Sequence, residues 1–386
     1  MPQKTYVVTE RVDDEMTPAS ADTHVQQRRF GIPPVTALEQ VQKDVGFTSN
    51  QSFAPLPAPT GAFPFRMSLS TVIPNLPKDE LAFHCVGDTG GIKDPNPQMR
   101  VAAAMIADVG KGLSPSFMYH LGDVIYFNGD ETEFGPQFYE PYDHYNLPIF
   151  AIPGNHDGDN SASPSVPSLT AFVQNFCSAT PHLDPQAQDH NRDTMDQPNV
   201  YWTLDAAPFL TIIGLYTNVP SGGQVAQDQA GWLTGELKAA DPNLPVIVAL
   251  HHPPYSVDAH HGGSQPMGRL LDGAFQASGR AADMVLNGHV HDYQRFTRTI
   301  GGAQVPYVVA GAGGYHNLHG VARDATPGMS VTSDCVLNQF CADRWGFLRL
   351  TVSAGTIAGE YTGVGKDGST ASMDKFTLDT KAHVVS

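Results

Sequence analysis

An α/β fold with mixed sheets is predicted for this 386-residue chain. Three observations predict it: short apolar runs that each end in a polar or glycine-rich turn, helical stretches between several of them, and two hairpin signals.

The elements follow in order. Residues 1–78 read as an extended arm, because Pro55, Pro57, Pro59 and Pro64 crowd together and apolar periodicity is weak. The lack of strand alternation there argues against a separate β-sandwich module, and the arm is expected to wrap a main domain over 79–386. Within that domain the runs 81–86, 117–121, 148–152, 246–250, 284–286 and 305–310 read as strands buried on both faces. Stretches 98–110, 227–240 and 266–277 are predicted helices. Residues 200–215 and 345–361 read as hairpins, turning near Ala206-Ala207-Pro208 and Ala354-Gly355, so the sheets are mixed. The polar, weakly periodic segment 158–198 is expected to be a surface insertion close to a site, since it follows a candidate ligand loop directly.

Composition narrows the function. Lys plus Arg is 22 against 39 for Asp plus Glu, a formal charge of −17 that opposes nucleic acid and anionic membranes and favours a small substrate. An anionic substrate would then need local positive charge, which bound metal ions supply. No apolar run is long enough to span a membrane, and residues 1–25 lack the apolar core of a secretory signal. The expected compartment is therefore cytoplasmic by default, with a processed, exported form left open. Of the four cysteines, Cys85 reads as a buried thiol in a strand, and Cys335 with Cys341 is the one pair that suggests a disulfide.

The chemistry lies where the strands end. Asp88 stands in Val-Gly-Asp-Thr-Gly, Asp123 in Leu-Gly-Asp-Val-Ile-Tyr, Asn155 in Pro-Gly-Asn-His-Asp, His251 in Val-Ala-Leu-His-His-Pro-Pro, and His289 and His291 in Asn-Gly-His-Val-His. Ligands of open α/β sheets gather outside the carboxyl ends of strands, so such loops can converge. Any one of these motifs alone is weak, since Gly-Asp is more often a turn. Together they are specific. Hard oxygen donors mixed with imidazoles suit a pair of hard or borderline metals such as Fe, Zn or Mn, and a carboxylate such as Asp123 can bridge two ions.

Gly87-Asp88-Thr89-Gly90, Gly122-Asp123-Val124-Ile125-Tyr126, Gly154-Asn155-His156, His251 and Gly288-His289-Val290-His291 resemble the five blocks of the purple acid phosphatases, members of the calcineurin-like metallophosphoesterases. The resemblance implies a four-layer α/β/β/α sandwich of two mixed sheets flanked by helices. In the wider superfamily a histidine two residues after the first aspartate supplies a ligand. Here Gly90 stands there, and the resemblance assigns the missing donor to Tyr126, whose phenolate suits Fe(III). It implies a first ion, Fe(III), on Asp88, Asp123, Tyr126 and His291, and a second, Fe(II), Zn or Mn, on Asp123, Asn155, His251 and His289.

His156 resembles the family's phosphate-contacting histidine, with Asp157 able to orient its ring. His260 and His261, nine and ten residues after His251, are spaced like the substrate-binding and proton-donating pair of plant members. His316 and His319 follow a glycine-rich stretch near the expected site. The implied reaction is phosphomonoester hydrolysis by a metal-bound hydroxide, with His156 stabilising the phosphoryl oxygens and His260 or His261 protonating the leaving group. A phosphodiesterase on the same centre is the nearest alternative. A metal-binding scaffold without turnover, or a zinc deacylase, is a more distant one. Plant members carry an N-terminal β-sandwich that residues 1–78 do not resemble, and the sequence leaves the oligomeric state open.

Overall fold

Residues 36–43, 55–217 and 223–386 are described in a computed structural model of the chain. Among the described residues, sixteen strands form two sheets: β1 Arg66–Ser68, β2 Glu80–Val86, β3 Met118–His120, β4 Ile149–Ala151, β5 Trp202–Ala206, β6 Leu210–Leu215, β7 Val246–Leu250, β8 Met284–Asn287, β9 Tyr293–Ile300, β10 Ala303–Ala310, β11 Ser330–Thr332, β12 Cys335–Cys341, β13 Trp345–Ser353, β14 Thr356–Val364, β15 Thr370–Asp379 and β16 Val384–Val385. The nine-stranded sheet runs β1-β5-β6-β7-β8-β10-β9-β12-β11 and the seven-stranded one β16-β15-β14-β13-β2-β3-β4. Both are mixed, as the hairpins predict: β6, β7, β8 and β10 are parallel in one and β2, β3 and β4 in the other, with antiparallel strands beyond.

The parallel strands explain why apolar runs found them. Val246–Leu250 is buried at every position, and so is Glu80–Val86 after its first residue. The sheets meet through aromatic side chains: Trp202 of β5 packs on Tyr119 and Phe150 of the other sheet, and its indole N–H donates to the Ala151 carbonyl at 3.1 Å. Helix α1 (Asn96–Val109) covers β13 and β14, while α2 (Gln227–Ala239) packs on β6 and on α3 (Gln265–Ser278). The last shows how the sequence sets its ends. Ser264 caps the first turn by accepting the Met267 N–H, Pro266 fits the position where no donor is needed, and Gly279 ends the helix at φ 73°. Its buried face is Met267, Gly268, Leu271, Ala274 and Phe275, at helical spacing.

Several expectations need correction or addition. The arm expected over 1–78 falls partly outside the described residues. Of the rest, 66–68 forms an edge strand parallel to β5, and Arg66 pairs with Glu236 at 2.7 Å. Residues 40–43 lie against 256–265: Gly263 N–H donates to the Gln40 carbonyl and Lys43 N–H to Gly263. The 158–198 segment is more embedded than its polar sequence suggests. Its helical turn Thr170–Phe176 packs Phe172 and Phe176 together and Phe176 against Phe134 and Phe138. The Gln197 carboxamide bonds both backbone groups of Ala151, closing the free edge of β4. The disulfide suggested for Cys335 and Cys341 is excluded. They open and close one seven-residue strand, roughly 20 Å apart at about 3.3 Å per residue, and both are free.

Candidate metal centre

Each candidate ligand follows a parallel strand: Asp88 after β2, Asp123 after β3, Asn155 after β4, His251 after β7, and His289 and His291 after β8. Three of them, Asp88, Asp123 and His289, adopt the left-handed region at φ 58°, 52° and 68°. Non-glycine residues rarely sit there, and they cluster where a site holds them against strain.

The structure brings all seven predicted ligands together, buried. Tyr126 hydroxyl lies 3.2 Å from His291 Nε2 and 3.5 Å from Asp88 Oδ1, and those two are 3.5 Å apart. Asn155 Oδ1 lies 3.1 Å from His251 Nε2 and 3.0 Å from His289 Nδ1, while His251 Nε2 is 3.3 Å from Asp123 Oδ2. The groups meet at His251 Nε2, 3.9 Å from Asp88 Oδ1. About 3 Å is the separation of neighbouring donors that each stand about 2.0–2.2 Å from one ion. Asp123, His251 and His289 place one donor atom each within 4.8 Å of one another. His289 also keeps a buried Nε2 without a hydrogen bond. These residues fit a metal site.

Backbone carbonyls select the tautomers. His251 donates from Nδ1 to the Leu121 carbonyl at 2.8 Å and His291 from Nδ1 to that of Asn317 at 3.0 Å, which turns each Nε2 toward the donors. Burial, with the neighbouring imidazoles His252 and His261, holds His289 neutral, the state a ligand needs. Burial raises Asp88 above the usual carboxylate range despite His251 and His291. Burial and the charge of Asp123 push Asp157 up to about 7. Asp123 itself is held below its usual range: burial opposes its charge, but His251 and His156 prevail. His251 rises to about 9, since Asp123 and Asp88 overcome burial.

Gly90 lies directly against Tyr126. A Cβ on Gly90 would stand 2.7 Å from Tyr126 Cδ2 and would collide with Gln137 Oε1. Gln137, which sequence reasoning missed, grips Tyr126 from behind: its Oε1 accepts the Tyr126 N–H at 2.9 Å and its Nε2 donates to the Tyr126 carbonyl at 2.8 Å. Nothing in the sequence marks it, for it lies on an irregular helical turn, Gly135–Tyr139.

The remaining candidates sort by geometry. His156 stands 4.6 Å ring to ring from Tyr126, and its Nδ1–H donates to the Phe127 carbonyl at 2.8 Å. That carbonyl orients the ring, and the role expected of Asp157 is corrected. The Asp157 carboxylate accepts the backbone N–H groups of Val124, Ile125 and Gly154, and so shapes the loops of Asp123 and Asn155. His261 is 4.3 Å from the His289 ring, and His260 stacks on His319 at 4.5 Å, which stacks on His291 at 4.3 Å. His316 lies 4.3 Å ring to ring from Tyr315, which packs on Tyr126 and His291. His252 is buried beside His289, with Nδ1 2.6 Å from Thr217 Oγ1.

Gly154 is required by close approach, since a Cβ there would collide with the carboxylate and backbone nitrogen of Asp123. Gly154→Ala is expected to weaken metal affinity about 10–100-fold, the cost of disturbing a ligand's support. Isothermal titration with Zn²⁺ checks it, and unchanged affinity would show that the loop yields without cost.

A fold of two mixed sheets with converging acid, amide and imidazole donors defines a metal-dependent hydrolase of the α/β/β/α class. The family model for calcineurin-like phosphoesterases matches residues 81–293, and the chain belongs to that family. Within it, the chain is a purple acid phosphatase-like metallophosphoesterase, in the class of phosphoric ester hydrolases. Tartrate-resistant acid phosphatase type 5 of Oryctolagus cuniculus is 28% identical over 255 residues, 61% of this chain and 73% of that protein. Purple acid phosphatase 18 of Arabidopsis thaliana is 26% identical over 288 residues, 68% of this chain but 61% of the plant protein. Among solved structures, purple acid phosphatase PPD1 from yellow lupin (Lupinus luteus) seeds superposes with a TM-score of 0.56 at 18% identity, covering 78% of this chain and 54% of that one. GAP50, the anchor in the inner membrane complex of Plasmodium, gives 0.53 at 17%, covering 77% and 89%. At such identities the two structures speak for the fold alone. Among the described residues no helix is long and apolar enough to cross a membrane.

Proposed function

We propose that the chain is a dinuclear metal-dependent acid phosphatase that cleaves small phosphomonoesters. The observation that carries the reading is the division of the donors into two touching groups, Asp88–Tyr126–His291 and Asp123–Asn155–His251–His289. Asp88, Tyr126 and His291 would hold Fe(III), and Asn155, His251 and His289 would hold Fe(II), Zn or Mn, with Asp123 available to both, because phenolate favours ferric iron and the second set is amide and imidazole. Bound there, the ions supply Lewis acidity and activate water.

The protein's own residues do the rest. His156, with Nδ1–H committed to Phe127, presents Nε2 toward a phosphoryl oxygen as a hydrogen-bond donor when protonated. His260 or His261 gives a proton to the leaving oxygen. The Asp157 carboxylate keeps the two ligand loops in register through their N–H groups. The acid phosphatases among the relatives support the monoester preference, and the charge of −17 supports a small substrate over a nucleic acid.

The test is the ratio of kcat/KM on an aryl phosphate monoester to that on the matching diester, with metal-replete protein from acidic to neutral pH. A monoester preference of about 10²-fold or more at acidic pH is expected, in line with the contribution of a placed general acid. A diester preference would keep the site and move the function to phosphodiesterase. No hydrolysis after full metal loading would leave the scaffold reading.

A further inference from the structure

We infer that Asp258 is a positioning residue that holds the His260–His261 loop against the metal-ligand face. The inference rests on the hydrolase reading above and goes beyond it, since no comparison assigns this carboxylate a role.

Asp258 is fully buried. Its Oδ1 accepts the backbone N–H of His260 at 3.0 Å, and its Oδ2 accepts those of His261 at 2.6 Å and Gly262 at 3.3 Å. One carboxylate therefore fixes three successive peptide groups in the segment that carries both candidate proton donors. Burial alone would neutralise it, but His261, His260 and the His260 N–H hold its carboxyl below the usual carboxylate range, so the clamp stays charged. A charged acceptor makes hydrogen bonds roughly twice as strong as a neutral one.

The clamp joins two loops. Asp258 bridges Val321, Ala259 N–H donates to the Gly320 carbonyl, and Ala322 N–H donates to Val257. His319 on the second loop lies between: its Nδ1 accepts the His291 N–H at 3.2 Å and is 3.5 Å from Asp258 Oδ1, and its ring is sandwiched by those of His260 and His291. From behind, Gln40 and Lys43 fasten Gly263. Loop position is thereby tied to the ligand His291 through stacked rings and to the Asp258 charge through hydrogen bonds from three peptide N–H groups. A loop donor must stand within hydrogen-bond reach of the leaving oxygen, and a displacement of about 1 Å costs about 10²-fold.

The experiment compares Asp258→Asn with the wild type on two monoesters, one with a basic alkoxide leaving group and one whose leaving group is 2,4-dinitrophenolate. Protonation by the enzyme matters only for the first. Asp258→Asn is expected to lower kcat on the alkyl phosphate about 10–100-fold and on the dinitrophenyl ester by less than about threefold, with metal content unchanged. In the background His260→Gln/His261→Gln the same substitution should add little further loss, because residues acting as a unit are not additive. Should Asp258→Asn not accumulate folded, Asp258→Glu keeps the charge, displaces the three N–H groups by about a methylene, and should give the same split. Equal loss on both esters, loss of metal, or no loss on either overturns the positioning role. A wild type inert on both esters overturns the hydrolase reading instead, and this inference with it.

Discussion

Asp123→Ala is expected to remove turnover and metal retention together while leaving the fold intact. Asp123 Oδ1 accepts the His156 N–H at 2.9 Å, and Oδ2 stands 3.3 Å from His251 Nε2. One residue thus ties the phosphate-contacting candidate to a ligand group, and as a bridge it would serve both ions. Loss of one transition-state donor already costs about 10²–10³-fold, so kcat should fall by at least that factor. Metal analysis after desalting should show less than one ion per chain. The metal-free fold should weaken as well. His251 and His156 hold the Asp123 carboxyl below its usual range, so its charge stabilises the fold, and alanine removes the carboxylate 3.3 Å from the protonated His251. The metal-free variant should melt below the metal-free wild type and gain little on adding Zn²⁺, whereas the wild type gains as RT ln(1 + [L]/Kd). A variant that keeps both ions and normal turnover sinks the bridging assignment.

The burial that sets these charges also explains what the sequence made legible. The parallel strands are dry on both faces, so their apolar runs stand out, and the chemistry appears as the first polar residues after each run. Strands β9, β12 and β15 were not found. The stretch Tyr293–Ile300 carries Arg295 and Arg298, whose charges are met by Asp374, Asp272 and Asp334 on other elements, and Thr370–Asp379 is largely exposed. Polar strands of this kind are specified by partners distant in sequence, which periodicity does not read. The same blindness misplaced Cys335 and Cys341, whose spacing fits a loop until β12 is seen pairing with β9.

The site was legible to the same depth. Its donors announce themselves through residue type, but their supports are backbone carbonyls of Leu121, Phe127 and Asn317, and the side chains of Gln137 and Asp258. A carbonyl leaves no trace in a sequence. The left-handed φ at Asp88, Asp123 and His289 is also silent there, because Asp and His tolerate that region without requiring it. Those three strained backbones are where local preference gives way to the demand that donors from two sheets face one point.

Tyr126→Phe isolates the iron assignment, because the ring can stay while the oxygen leaves. The side chain is fully buried, packed 4.3 Å from Tyr315 and 4.6 Å from His156, and Gln137 holds its backbone by both polar groups. Phenylalanine should keep that packing at a stability cost of about 1 kcal/mol for the lost hydrogen bond. With Fe(III) loaded, the variant should lose all visible tyrosinate charge-transfer absorption, and kcat should drop by about 10²-fold or more as for other lost donors. Colour that survives would exclude this tyrosine as its source. The companion change is Gly90→His with Tyr126→Ala, since a side chain at position 90 would meet the Tyr126 ring, and the Gln137 carboxamide must turn aside as well. That double variant should be colourless and should bind a divalent ion in place of ferric iron, because imidazole replaces phenolate in the donor set. Retention of ferric iron by the double variant would show that Asp88 and His291 choose the metal without help from the phenol.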